Sequence, residues 1–280
     1  MIRRLFRQKL TKVNKVFTIA IFTTLTAISI VSCSRNDNVL VTEVGVSPPT
    51  RRSAIRNKAE AFYVQGKNQH VNGDLQAAIA SYGKAINENS QYVAAYNGRG
   101  LAYFDLGDKE KAIADYNEAL RINPNNAEAY NNRGNARASL GNNREAVKDY
   151  TEAIRLNPNY AEAYNNRGNA RASLGEQNRG IDDFDQAISL NPNYAIAYNN
   201  RGNARSANGD PQGAIADYNE AIRLNPNFAP AYNNRGNARA KNGDKEGALK
   251  DLEQAANIFQ TQGNNDLYQQ VTKNIKELGQ

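Results

Sequence analysis

The chain has one cysteine, Cys33, and one histidine, His70, in 280 residues. A cysteine–histidine metal cluster or a disulfide framework needs several such residues, so both are excluded by arithmetic. Net charge is also missing outside the first segment. Residues 1–32 hold Arg3, Arg4, Arg7, Lys9, Lys12 and Lys15 and no acid; setting those six aside leaves 29 basic against 28 acidic residues. A body this close to neutral lacks the large basic footprint that phosphate binding needs, which argues against a nucleic-acid partner. No nucleophile–base pair, phosphate loop or clustered carboxylate motif stands out. The sequence therefore predicts no catalytic residue, no metal, no cofactor and no enzyme, and His70 reads as a surface residue.

A long apolar run is missing too. Residues 16–31, VFTIAIFTTLTAISIV, stop short of the roughly 20 residues that span a bilayer. They follow a basic stretch and precede small residues, which is the pattern of a secretory signal over 1–32. An uncleaved membrane anchor is the alternative reading of the same run. Ile30, Val31, Ser32 and Cys33 resemble the lipobox of bacterial lipoproteins, whose cysteine sulfur takes a diacylglyceryl group. That resemblance implies lipid attachment at Cys33 and a protein exported and held on a bacterial membrane of the cell envelope. Two or more acyl chains suffice for stable anchoring. Residues 33–58 include Pro48–Pro49 and read as a flexible tether with an r.m.s. span of roughly 25–30 Å.

What is abundant is repetition. The octet YNNRGNAR starts at Tyr130, Tyr164, Tyr198 and Tyr232, every 34 residues. The same period divides the chain into six units, 59–92, 93–126, 127–160, 161–194, 195–228 and 229–262, within which positions are numbered 1 to 34. Position 8 is always glycine (Gly66 to Gly236), and so is position 15 (Gly73 to Gly243). Position 4 is always aromatic, position 27 always alanine, and position 24 is Tyr or Phe except at Leu252. A glycine at position 15 ends a first helix. Asp74, Asp108, Asp210 and Asp244 at position 16 are N-caps for a second one, and the prolines at position 32 in units 2–5 stop it.

These positions resemble the tetratricopeptide repeat, a 34-residue helix–turn–helix unit. The resemblance implies an all-α fold: a right-handed superhelical solenoid of six units whose first helices line a concave groove. Residues 263–280, with Leu267, Val271, Ile275 and Leu278 at helical spacing, read as the capping helix a solenoid needs. One departure is the arginine at position 7 in units 2–6, where the family usually has an aliphatic residue.

At about 100° per residue, with position 4 at zero, position 8 falls at about +40°, position 11 at about −20° and position 7 at about −60°. Tyrosine, glycine and both arginines of the octet thus face the partner helices, and position 23 on the second helix lies at the edge of its packed face. The expected structural ion pairs are Arg99 with Asp115, Arg133 with Asp149, Arg167 with Asp183, Arg201 with Asp217 and Arg235 with Asp251. Unit 1 has Gln65 and Ser81 at these places and lacks both charges. Arg137, Arg171, Arg205 and Arg239, at position 11, have no partner that sequence identifies.

The asparagines at positions 5, 6 and 9 fall at about +100°, +200° and +140°, away from the partner helices and toward the family's groove. They are Asn131, Asn132, Asn135, Asn165, Asn166, Asn169, Asn199, Asn200, Asn203, Asn233, Asn234 and Asn237. An amide donates to and accepts from a peptide backbone at once, so this row is a candidate partner-binding ladder. It resembles the asparagine ladder in the superhelix of the O-linked N-acetylglucosamine transferases. Recent duplication of a solvated face is the other explanation. The carboxylate clamp of chaperone-binding members is not supported, because position 5 is Tyr or Asn rather than Lys. The expected function is a lipid-anchored scaffold that binds a protein or peptide partner in its groove. A structural spacer that works by self-association, without a dedicated client, is the alternative.

Overall fold

Glycine and proline punctuation sets the helix boundaries. The structure, a computed structural model, describes residues 51–279. The signal, Cys33 and most of the tether lie outside the described residues. Thirteen helices, and no strand among the described residues, run in alternation. The first helices of the six units are α1 (Arg51–Val71), α3 (Val93–Leu106), α5 (Ala127–Ser139), α7 (Ala161–Ser173), α9 (Ala195–Ala207) and α11 (Ala229–Lys241). The second helices are α2 (Leu75–Glu88), α4 (Lys109–Ile122), α6 (Asn143–Leu156), α8 (Gln177–Leu190), α10 (Pro211–Leu224) and α12 (Lys245–Thr261), followed by the cap α13 (Asn265–Gly279). The tether boundary needs correction: residues 51–58 are the first two turns of α1. The segment from 51 to 65 contains no proline or glycine, so nothing in it breaks a helix that starts just after Pro49.

The turns follow from local chemistry. Each position-15 glycine sits at φ between 79° and 94°, the left-handed region closed to most side chains. Asp74, Asp108, Asp210 and Asp244 then accept the N–H three residues on, from Ala77, Lys111, Gly213 and Gly247. At position 31, Asn89, Asn123, Asn157, Asn191 and Asn225 each accept the N–H two residues on, which closes the turn between units.

The core is built from alanine and one ring per unit. Ala78, Ala112, Ala146, Ala214 and Ala248 at position 20 and the position-27 alanines are fully buried. Tyr116, Tyr150, Phe184, Tyr218 and Leu252, at position 24, are the large buried side chains. The position-8 glycine makes room for them. A Cβ on Gly134 would stand 2.6 Å from the Tyr150 ring, and one on Gly168 2.7 Å from the Phe184 ring. Neighbouring first helices also touch, α1 with α3, α3 with α5, α5 with α7, α7 with α9 and α9 with α11, a run with no counterpart among the second helices. Closer approach on that side bends the stack, so the first helices form the concave wall.

Candidate functional site

The octet's first arginine is a strut between units. Arg133 donates through Nε and Nη2 to Asp149 at 3.1 and 2.7 Å and through Nη1 to Asn117 of the preceding unit at 2.7 Å. It also lies over the Tyr130 ring, 5.4 Å from its centroid. The same fork joins Arg99 to Asp115, Arg167 to Asp183, Arg201 to Asp217 and Arg235 to Asp251, with the Nη2 arm at 2.5–2.7 Å. Arg201 adds Asp185 of the preceding unit at 2.6 Å.

The position-11 arginines use the same carboxylates. Arg137, Arg171, Arg205 and Arg239 reach Asp149, Asp183, Asp217 and Asp251 at 2.8–2.9 Å. Each of these aspartates thus holds two guanidinium groups. Unit 1 replaces the arrangement with a neutral pair, Ser81 Oγ donating to Gln69 Oε1 at 2.7 Å. The sequence contains every member of this triad, but a helical wheel for one helix does not show that one carboxylate reaches two turns of its neighbour.

The asparagines do not share one orientation, in contrast to the wheel expectation. Position 5 is buried: Asn97, Asn131, Asn165 and Asn199 are all shielded from solvent. Each accepts from position 6 of the next unit, from Asn132 (3.3 Å), Asn166 (3.1 Å), Asn200 (3.0 Å) and Asn234 (3.0 Å). Asn165, Asn199 and Asn233 in turn donate to the position-6 amide beside them. The result is a relay of amides from unit 6 toward unit 2, stitched through the concave wall. The wheel places these residues relative to their own helix pair only; the flank it leaves open is covered by the next unit's first helix. At the relay's end the Oδ1 of Asn233 is buried without a donor. In the 34-residue register, α13 presents Leu267 and Tyr268 where a further unit would supply asparagine.

Position 9 behaves differently again. Asn135 Oδ1 accepts from the Tyr150 hydroxyl at 2.8 Å and from Asn166 at 3.1 Å, and Asn203 Oδ1 accepts from the Tyr218 hydroxyl at 2.8 Å. Phe184 and Leu252 have no hydroxyl, so the side chains of Asn169 and Asn237 have no internal partner among the described residues. Of the twelve candidate asparagines these two are the amides with both functions available. Each lies in a shallow hollow between neighbouring first helices, about 250 Å³ beside Asn169 and about 290 Å³ beside Asn237.

A larger hollow of about 760 Å³ opens over α1, α3 and the start of α5, and no motif in the sequence pointed to it. It lies where the polar stitching stops. Tyr63 stands at position 5 of unit 1, Gly98 at position 6 of unit 2 and Gly83 at position 25 of unit 1, so neither the relay nor the arginine strut can join unit 1 to unit 2. Tyr63, Val71, Val93 and Leu101 give it apolar lining, and Lys67 and Glu128 border it. His70, expected on the surface, is mostly covered and joins α1 to α3 through Asp105 at 2.7 Å. Among the described residues there is no group of three or more His, Cys, Asp or Glu arranged to hold a metal, and no helix long and apolar enough to cross a membrane.

Comparison with known proteins agrees with this architecture. A family model described as TPR repeat matches residues 70–107, 100–141, 134–175 and 168–209. Two models described as tetratricopeptide repeat match 195–228 and 217–250. Among solved structures, MamA aligns at a TM-score of 0.53 and 27% identity over 59% of this chain and 96% of its own. YrrB, described as a TPR protein with an unusual peptide-binding site, aligns at 0.52 and 24% identity over 69% of this chain and 97% of its own. A tetratricopeptide repeat protein from Parabacteroides merdae aligns at 0.63 and 24% identity over 82% of this chain and 90% of its own. No curated protein matches the chain.

Proposed function

The chain belongs to the tetratricopeptide-repeat family, and on that premise we propose that it is an exported, lipid-anchored scaffold that binds extended peptide segments of partner proteins in its concave groove. The observation that carries the binding half is the concave wall itself. It leaves the amides of Asn169 and Asn237 unspent and opens a hollow over units 1–3. An extended peptide has a donor and an acceptor at every residue, and an amide with both functions available pairs with it. The buried arginines and the position-5 and position-6 asparagines belong to the scaffold under this reading. The anchoring half rests on residues 30–33 and their place after the apolar run.

The test places a photo-crosslinking residue at position 169 in the full chain, with Glu152 on the second-helix face as control. Groove binding gives a discrete adduct from 169 and none from 152. Equal adducts from both, or none from 169, reject it. An adduct of twice the chain's own mass assigns the groove to self-association, the spacer reading. Labelled palmitate incorporated by the wild type and lost in Cys33→Ala supports the anchor; incorporation that survives the substitution rejects it.

A further inference from the structure

Unit 2 breaks a rule that units 3 and 5 keep. In those units the buried tyrosine at position 24 donates its hydroxyl to the asparagine at position 9. In unit 2 the tyrosine is Tyr116, and position 9 is Leu101. The Tyr116 hydroxyl is buried with no acceptor among the described residues. Burial first, then the charges of Asp105, Asp115 and Glu128, raises its pKa, so it remains a protonated donor. A buried donor left unmade is a cost to folding that an asparagine would remove. Leu101 offers little in return. It is 38% exposed and so buries only part of its apolar surface. Its side chain faces the 760 Å³ hollow instead. A local rule broken at the expense of stability, with an apolar side chain presented to a cavity as the outcome, is the signature of a binding position.

We infer that Leu101 is the specificity-determining residue of the groove, anchoring an apolar side chain of an extended partner peptide over units 1–3. This deepens the peptide-groove reading and rests on it. The rest of the hollow fits the same occupant. Gly98 cannot carry a side chain, because a Cβ there would stand 2.9 Å from the Tyr82 ring, so the floor stays open. Lys67 on the α1 side and Glu128 on the α5 side border the apolar floor, and neither makes an ion pair. The partner segment therefore carries a Leu, Ile or Phe, with an acidic residue on the α1 side and a basic residue on the α5 side. Beyond the hollow, the amides of Asn169 and Asn237 meet backbone and read no sequence.

The experiment uses the full chain and arrayed synthetic hexapeptides with Leu or Asn at the centre, flanked by Glu and Lys in both orders. Wild type prefers the Leu-centred peptides in one flank order. Leu101→Asn weakens that binding about tenfold or more, while its melting temperature stays level or rises by about 2–4 °C as Tyr116 gains its acceptor. Leu101→Met keeps the preference. If Leu101→Asn binds Leu-centred peptides as wild type does, or melts lower and loses binding together, the anchor role is overturned. If binding is indifferent to Leu101 but falls on changing Asn169, the groove reading stands without the anchor. If wild type binds no arrayed peptide, the groove reading falls with it.

Discussion

Replacing Asp149 with alanine tests the scaffold most directly. Asp149 is 3% exposed and accepts three charge-assisted hydrogen bonds, two from Arg133 and one from Arg137. Its removal leaves two guanidinium groups facing each other across a gap. Deleting one member of a buried ion pair costs about 3–5 kcal/mol. Here the arginine side chains keep 16% and 25% exposure, and Arg133 retains Asn117 and Tyr130. Solvent screening brings the expected loss to about 2–3 kcal/mol. For a folded region of this size that is a fall of about 4–12 °C in melting temperature, read by circular dichroism at neutral pH. Glu152→Ala is the control. It removes an exposed pair with Arg155 on the same helix, 2.9 Å apart, and shifts the melt by about 2 °C or less. Replacing all three triad members by apolar residues (R133L, R137M, D149L) recovers at least half of the loss, because the cost lies in the stranded charges rather than in the missing bonds. Asp149→Ala melting with the Glu152→Ala control would refute the reasoning.

Two further substitutions probe the other packing devices. Gly134→Ala drives a methyl into the Tyr150 ring and lowers stability by about 1–3 kcal/mol in urea titration; an unchanged midpoint would mean that the ring yields. Asn166→Ala removes links to Asn131, Asn135 and Asn165 and costs about 1–2 kcal/mol, whereas Asn233→Ala, which also deletes a stranded acceptor, stays within about 0.5 kcal/mol of wild type. Equal losses in the two variants would show that the relay contributes nothing as a chain.

Much of this fold is visible in the sequence because its causes are local. Period, glycine turns, aspartate caps and proline stops each act within a few residues, and all recur at fixed positions. The alternation of helices follows from them, as does the cap at α13. The start of α1 was less legible, since residues 51–58 belong to no repeat yet contain nothing that stops a helix. Duplication also made the octet look more uniform than its surroundings are. Asn135, Asn169 and Asn203 occupy one position, yet Asn135 and Asn203 accept from Tyr150 and Tyr218 whereas Asn169 faces Phe184, which has no hydroxyl.

The sequence by itself determined that this is a six-unit solenoid, which residues turn the chain, and which side chains face inward within a unit. Tertiary structure alone decided what each polar side chain meets between units. Asn166 reaches Asn131 across 35 residues, and Arg133 reaches Asn117 across 16. The hollow beside Leu101 opens where those reaches fail. The physical reason is that helix periodicity sets direction about one axis, whereas contact between units depends on how far each unit is shifted and rotated against the last. That offset is a property of the packed stack, and with it comes the division of the asparagines into a buried relay, two that accept from a tyrosine hydroxyl, and two amides with no internal partner among the described residues.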